Sequence, residues 1–492
     1  MEYLEHVYTR VQEAKGAPRV WMEGRILERA GFNPGVRYER TIDAQNRFIE
    51  LRICDTGNLV VSERKSKNMP IIEINNRAIA PVTDGAEELR IDAAQNVIRI
   101  SVESLTRKQR EREERFHSEI AEGRITKGTV CSGIGMSTLA LSDAFTVSGL
   151  IAQQKWVVDR EGKYNQIAWD NNPAVTDATT IFTASLEQIE PELLGPVSVL
   201  NASLPCTGFS VSGRSKNKIA HPEEHATDAT AVFGFMKIVE GVNPSIIVSE
   251  NVKPAQTSAT YTLIKSYLYV LGYNVFEVNL DNEQSGCFQK RPRYWFVAVS
   301  KGLGSIDLNN VPKFAREYGE LRELMDDVPA DSPAWSQNQY LKDKAIRDKE
   351  AGKYFQRNLI NESTTEFGTI NRTYARKQST PPMWQREDGM ERLLTANEIA
   401  RSMACPESLV DGCSQTRAIE GLGQGVDMNQ CRGIGLAIVR DIIRGTGNVI
   451  AEAVTDVASV AADALGGLVQ PANNIPETGD ENASVGQLSM FS

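Results

Sequence analysis

The 492-residue chain predicts a doubly wound α/β domain behind a smaller, mostly-β domain, and three observations carry this. From Thr126 onward apolar β-type runs alternate with helical ones, as in a parallel sheet covered on both faces. "GTVCSGIGMSTLALSDAF" reads as strand, glycine turn and helix, the unit that binds nucleotides at a strand's carboxyl end. From Val36 to about Val102, short alternating runs ("IELRIC", "NLVVSER", "PIIEI", "VIRISVE") separated by turn residues suggest an all-β unit.

Composition narrows the function classes. With 41% hydrophobic and 24% charged residues, the chain can bury ordinary cores and divides into roughly two to four domains. No apolar run is long enough to cross a bilayer; even 449–468 is interrupted by Glu452, Asp456 and Asp463. The opening "MEYLEHVYTR" has acids and no apolar signal core. Seven cysteines without CxxC pairs fit free thiols in a reducing compartment, so the expected location is the cytoplasm. A net charge of −10 argues against a protein that coats nucleic acid non-specifically. Acidity is concentrated at the C-terminal end, whereas "GTINRTYARKQSTPPMWQR" carries Arg372, Arg376, Lys377 and Arg386 without an acid, a local basic surface.

Taken in order, residues 1–105 form the mostly-β domain. Its segment "RVWMEGRILERAGFNPGVRYE" resembles the opening of AbrB-type swapped-hairpin domains, which implies DNA binding or a dimer through this domain; the alternative is a purely structural β-module. The charged run "LTRKQREREERFHSEIAEG" reads as a linker helix over 106–124 with solvated faces. The α/β domain occupies 125–304. Its first turn places Cys131, Gly133, Ile134 and Gly135 at a strand end, and Asp159 follows the next strand, where a carboxylate accepts hydrogen bonds from ribose hydroxyls. "GPVSVLNASLPC" is a third strand that delivers Pro205 and Cys206 to the same edge. An isolated cysteine is commonly a buried structural residue, but three later segments argue otherwise. "PSIIVSENVKP" is a strand ending in Glu250-Asn251-Val252. "GCFQKRPRYWFVAVS" sets Gln289, Arg291 and Arg293 at alternate positions, hence on one face. "GLGQGVDMNQCRGIGLAIVRDII" is a polar, glycine-rich turn leading into an apolar helix.

PCxxxS, ENV, QxRxR and "RLLTANEIARSMACPESL", in this order over roughly 125–446, resemble the DNA cytosine-5 methyltransferase family. The resemblance implies a Rossmann-like, S-adenosyl-L-methionine-dependent methyltransferase domain, with a small target-recognition region at 305–390 and a return to the catalytic domain at 391–468. It implies duplex DNA as partner, with the target cytosine flipped out of the helix. Cys206 is then the nucleophile, Glu250 the acid that offsets charge gathering in the ring, Arg293 the holder of the ring oxygen, and Arg291 the residue that orients the loop or the glutamate. The cofactor set is Cys131, Gly133, Ile134, Gly135, Asp159, Pro205, Gln424 and Gly425. Ser210, Ser212, Gly213 and Arg214, in the loop after Cys206, are expected to approach phosphates, and Arg372, Arg376 and Lys377 to read or grip DNA.

The sequence departs from the family pattern at several points that touch cofactor affinity. Cys131 stands where an aromatic stacks on adenine, Ser185 where an acid follows a short strand, Gly423-Gln424-Gly425 where a Gly-Asn turn is usual, and Thr207 in place of Gln. His221 and His225 have a spacing seen in metal sites, but no third ligand is evident, and the expectation is no metal. Beyond 468 the chain has little to bury and is expected to be disordered. Its Gln487, Leu488, Met490 and Phe491 resemble peptides that dock on the bacterial sliding clamp. Two alternatives stay open: RNA cytosine-5 methylation, and a catalytically silent DNA-binding regulator.

Overall fold

A computed structural model describes residues 2–64, 69–83, 86, 88–205, 226–352, 357–378, 380–446 and 469–470. Cys206, Thr207, Ser210, Ser212, Gly213, Arg214, His221, His225 and the tail with Gln487, Leu488, Met490 and Phe491 lie outside them.

The first hundred residues build two antiparallel sheets. Strands β1 (Tyr3–Arg10), β2 (Gln12–Ala14), β3 (Ala17–Glu23), β4 (Arg37–Asp43), β5 (Phe48–Ile53), β6 (Leu59–Val60), β7 (Ser62–Arg64), β8 (Met69–Asn75), β9 (Glu88–Ala94) and β10 (Val97–Val102) supply them. One sheet has the order β1-β9-β10-β5-β4-β6 and the other β2-β3-β8-β7. Period-two alternation puts Ile49, Leu51, Ile98 and Ile100 inside, where they pack with Val20, Phe32 and Ile72. The strands therefore start well before Val36. β1 pairs along β9 at the sheet's edge, and its inward positions are only half-buried.

A helix over Ser104–Ala121 follows, capped by the Glu103 carboxylate, which accepts from the N–H groups of Leu105 and Thr106. The expectation of a solvated connector is corrected on one face, because Arg112, Phe116, Glu119 and Ile120 are buried. Arg112 donates to Ser300 Oγ at 2.8 Å and to the carbonyls of Leu271 and Gly272 at 2.9 and 2.8 Å, with its guanidinium over the Tyr273 ring. Its partners lie far along the chain, so nothing local in the charged run announces them.

The α/β sheet consists of β11 (Arg124–Val130), β12 (Ile151–Asp159), β13 (Thr180–Thr183), β14 (Val199–Ala202), β15 (Ile246–Asn251), β16 (Tyr273–Leu280) and, after the short β17 (Gln289–Lys290), β18 (Arg293–Ser300). Its order is β13-β12-β11-β14-β15-β18-β16. The first five strands are parallel, and β18 runs antiparallel to both its neighbours. Helices 136–146, 162–171, 226–242 and 259–270 connect them. The near-continuous burial of β11, β14, β15 and β18 is what a sheet covered on both faces requires. Strand order reverses between β11 and β14, so the crevice at their carboxyl ends is the topological switch point.

The region after residue 304 adds β19 (Lys313–Phe314), β20 (Asn358–Ile360), β21 (Phe367–Gly368), β22 (Pro382–Gln385) and β23 (Glu391–Arg392). Its buried Trp335, Ile360 and Trp384 belong to one cluster with Leu139 and Ile434, so core packing is continuous from the α/β sheet into this region. Helix 428–438 closes the domain against helix 136–146. No helix among the described residues is long and apolar enough to cross a membrane.

Lys127 is a buried amine inside β11. It donates to the Thr138 carbonyl at 2.9 Å and to Ser142 Oγ, with Asp143 and Cys431 as its charged or titratable neighbours. Burial pushes its pKa down to about 7. Between that value and the ordinary lysine range the unfolded chain holds the proton and the folded one does not, so folding stability rises with pH across this window. Lys127→Met should abolish that rise, which amounts to up to about 1.4 kcal/mol per pH unit. Urea unfolding at pH 7 and pH 9 measures it, and an unchanged pH dependence contradicts it.

Candidate active site

The site is assembled from strand ends at the switch point. After β11 the chain turns sharply: Cys131 has φ +53°, Gly133 φ +54° and Gly135 φ +84°. Glycine adopts this left-handed backbone freely, whereas Cys131 adopts it under strain. Gly135 starts helix 136–146, while Ile134 is buried and packs against Gly421, where a Cβ would come within 2.7 Å of it. Asp159, at the end of β12, braces this turn. One of its oxygens accepts from the Gly133 N–H at 2.8 Å and the other from the Glu161 N–H at 2.9 Å. Burial raises its pKa against those two hydrogen bonds.

Across the switch point, β14 runs out to Leu204 and Pro205, the last residues described before Cys206. This segment is tied to the next strand by Asn251, whose Nδ2 donates to the Leu204 carbonyl at 3.1 Å and to Tyr261 Oη at 2.8 Å. Because β14 and β15 are parallel, with Ala202 opposite Ser249, Glu250 and Asn251 leave the sheet at the same edge as Pro205.

Glu250 is buried and meets Arg293, the first residue of β18, at 2.6 Å (Nε to Oε1). Burial pushes its carboxyl above the usual range, and the positive charges of Arg293 and Arg291 oppose that without cancelling it. Arg291 points elsewhere. It donates to the carbonyls of Ile370 at 3.0 Å, Gly423 at 3.1 Å and Gly425 at 2.5 Å. It thus joins the start of the basic segment to the glycine-rich turn. At Gly423 a Cβ would lie 2.5 Å from the Asn371 backbone, so only glycine allows that approach. Gly425 is similarly close to Met136. Exposed Gln424 donates to Tyr164 Oη, and exposed Arg372, Arg376 and Lys377 lie on the segment that Arg291 anchors. Ser185 and Gln188 form a capping box.

Sequence reasoning missed three supporting side chains. Asn251 was read only as part of a motif, yet it holds the segment before Cys206. Gln289 accepts from both Arg291 and the Ile370 N–H. Gln430 donates to the Arg291 carbonyl at 3.0 Å and accepts from Trp295 Nε1 at 3.0 Å. The alternation of Gln289 with Arg291 was a usable signal; Gln430, far along the chain, had none. Among the described residues no cluster of His, Cys, Asp or Glu suits a metal ion, and six cysteines are free thiols.

A doubly wound sheet with an antiparallel β18 and a crevice between β11 and β14 defines the class, a Rossmann-like methyltransferase fold. Its solved counterparts include the Schizosaccharomyces pombe Dnmt2 methyltransferase (TM-score 0.52, 17% identity, 64% of this chain and 99% of that one). The Entamoeba histolytica methyltransferase EhMeth is similar (TM-score 0.52, 16% identity, 65% and 98%). Residues 127–440 match the family of C-5 cytosine-specific DNA methylases, and the chain belongs to that family. Among curated relatives it is 26% identical to the type II methyltransferase M.MspI of Moraxella sp. over 247 residues, 49% of this chain and 56% of that protein. M.DsaV of Dactylococcopsis salina is 25% identical over 260 residues, 51% of this chain and 71% of that protein. The chain thus spans little more than half the length of M.MspI.

Asn251→Ala removes two buried hydrogen bonds and leaves the Tyr261 hydroxyl without that partner. It should lower folding stability by about 2 kcal/mol, read as a reduced urea midpoint; an unshifted midpoint contradicts the clamp.

Proposed function

We propose that the protein is a DNA (cytosine-5-)-methyltransferase that acts on a cytosine flipped out of a short duplex site, through a covalent adduct at Cys206. The observation that carries this reading is the buried Glu250–Arg293 pair at the strand edge to which Asn251 ties Leu204, two residues before Cys206.

The residues at the first turn fit S-adenosyl-L-methionine. A Cβ at Gly133 would meet nothing within 4 Å, so a ligand can approach that backbone, and Ser132 Oγ is buried without a partner among the described residues. Asp159 sits beside this turn, with a further lone pair on each oxygen for ribose hydroxyls, and Cys131, Pro205, Gln424 and Gly425 would contribute the remaining cofactor contacts. When bound, the cofactor supplies an electrophilic methyl group. Everything else falls to the chain. Carbon 5 of cytosine is a weak nucleophile until the Cys206 thiolate adds to carbon 6. Glu250, its carboxyl held high by burial, shares its proton with ring nitrogen 3 as negative charge enters the ring, and Arg293 faces the ring oxygen. Arg291 positions the recognition segment and the glycine-rich turn. After the methyl group is transferred, a base or water takes the proton from carbon 5, the carbon–sulfur bond breaks and the thiolate departs. Ser210, Ser212, Gly213 and Arg214 would contact phosphates, and Arg372, Arg376 and Lys377 would face the duplex.

Labelled cofactor with duplex DNA or tRNA as acceptor tests the reading. Label should enter duplex DNA, fall to background in Cys206→Ala, and fall at least about a hundredfold in Glu250→Gln, since one lost charge-stabilising group costs that much in turnover. Label in tRNA alone would favour the RNA reading. Full activity in Cys206→Ala would remove the mechanism.

A further inference from the structure

We infer a phosphate-binding site in the N-terminal region, outside the part of the chain that matches the methylase family. Where β5, β9 and β10 meet the start of helix 104–121, a cavity of about 210 Å³ is lined by Arg47, Arg90, Arg99, Arg107 and Arg110, with no carboxylate among its lining residues. Strand register explains the clustering. Phe48, Ser101 and Arg90 lie opposite one another across the three strands, and Arg99 lies two positions from Ser101, on the same face. Arg47 comes from the turn before β5, and Arg107 and Arg110 from the helix.

Four of the arginines are paired with acids outside the cavity: Arg47 with Glu114 at 2.6 Å, Arg90 with Asp92 at 2.8 Å, Arg99 with Glu50 at 2.8 Å and Arg107 with Glu111 at 2.8 Å. Asp92 also faces His6. A guanidinium has five donors, and these pairs occupy only part of them. The acids orient the forks, and the remaining donors are left for a ligand in a space lined by arginines. Arg99 Nε is buried without a partner among the described residues, and its guanidinium lies over the Phe48 ring at 4.3 Å. Several multiply donating guanidinium forks around one space suit phosphate oxygens better than any neutral ligand.

The site is separate from the proposed active site. Helix 104–121 crosses the amino edge of the sheet: Arg115 donates to the carbonyls of Val197 and Asn243, just before β14 and β15, and Arg112 to Ser300 at the end of antiparallel β18. Pro205 and Glu250 lie at the carboxyl edge. A duplex held there leaves the arginine cavity free, so its phosphate comes from a second stretch of nucleic-acid backbone or from a free phosphate compound.

The full chain is tested with two probes, inorganic phosphate at constant ionic strength and a dA·dT duplex that contains no cytosine, so the outcome is independent of methyl transfer. Arg47→Ala/Arg107→Ala should bind one of them about tenfold more weakly, as expected when charged hydrogen bonds are lost. Arg47→Lys/Arg107→Lys, which keeps the charges, should restore much of the binding and controls for folding. Loss on the duplex, with a salt-dependence slope lowered by about one or two, identifies a backbone phosphate. Loss on inorganic phosphate alone identifies a free phosphate compound. Unchanged binding of both probes overturns the site.

Discussion

A carboxyl and a guanidinium buried against each other at one strand edge are the constraint around which the active region is organised. Glu250 is the penultimate residue of a parallel strand and Arg293 begins the antiparallel strand beside it, so the run of β18 against β15 brings the two within 2.6 Å. Such a pair adds little to stability, because the desolvation of both ions offsets their attraction, yet removal of either partner strands a charge and costs about 3–5 kcal/mol. The value of the pair is therefore in what it holds ready. A carboxyl raised by burial beside a fixed guanidinium can meet a polar heterocycle from two sides. The neighbours of the pair recruit the rest: Asn251 holds the segment before Cys206, and Arg291 holds Ile370 and the turn at Gly423–Gly425.

The two edges of the sheet divide the labour. At the carboxyl edge, the turns after β11 and β12 are joined by the Gly133–Asp159 hydrogen bond, and the end of β15 is tied to Leu204 by Asn251. At the amino edge, Arg112 and Arg115 satisfy carbonyls at strand starts and bind helix 104–121 to the sheet. That helix gives the N-terminal sheets a fixed attachment on the side away from the cleft. The arrangement lets a second ligand site exist without obstructing the first.

Much of this was legible in the residues, for identifiable reasons. The glycine turn, Asp159, Glu250 and the alternate Arg291 and Arg293 are local signals, since each depends on position at a strand end. The roles of the two arginines separated only in three dimensions: alternate positions put both on one face, but only Arg293 reaches Glu250, while Arg291 finds carbonyls supplied by residues 370–425. Strand β1 is hard to read from the residues because an edge strand with half-buried alternation looks polar. Arg112 lies in a charged run that reads as a solvated surface, and Lys127 carries no local sign of burial. Their burial depends on carbonyl and hydroxyl acceptors brought by tertiary packing, which local patterning does not encode.

The most direct test of the account is a covalent one. A duplex carrying 5-fluorocytosine at the target position, incubated with cofactor, blocks the loss of the carbon 5 substituent and arrests the reaction before the sulfur departs. The account predicts a denaturation-resistant protein–DNA complex whose cross-linked peptide contains Cys206. Turnover of ordinary duplex with no such complex, or a cross-link at another residue, would contradict it.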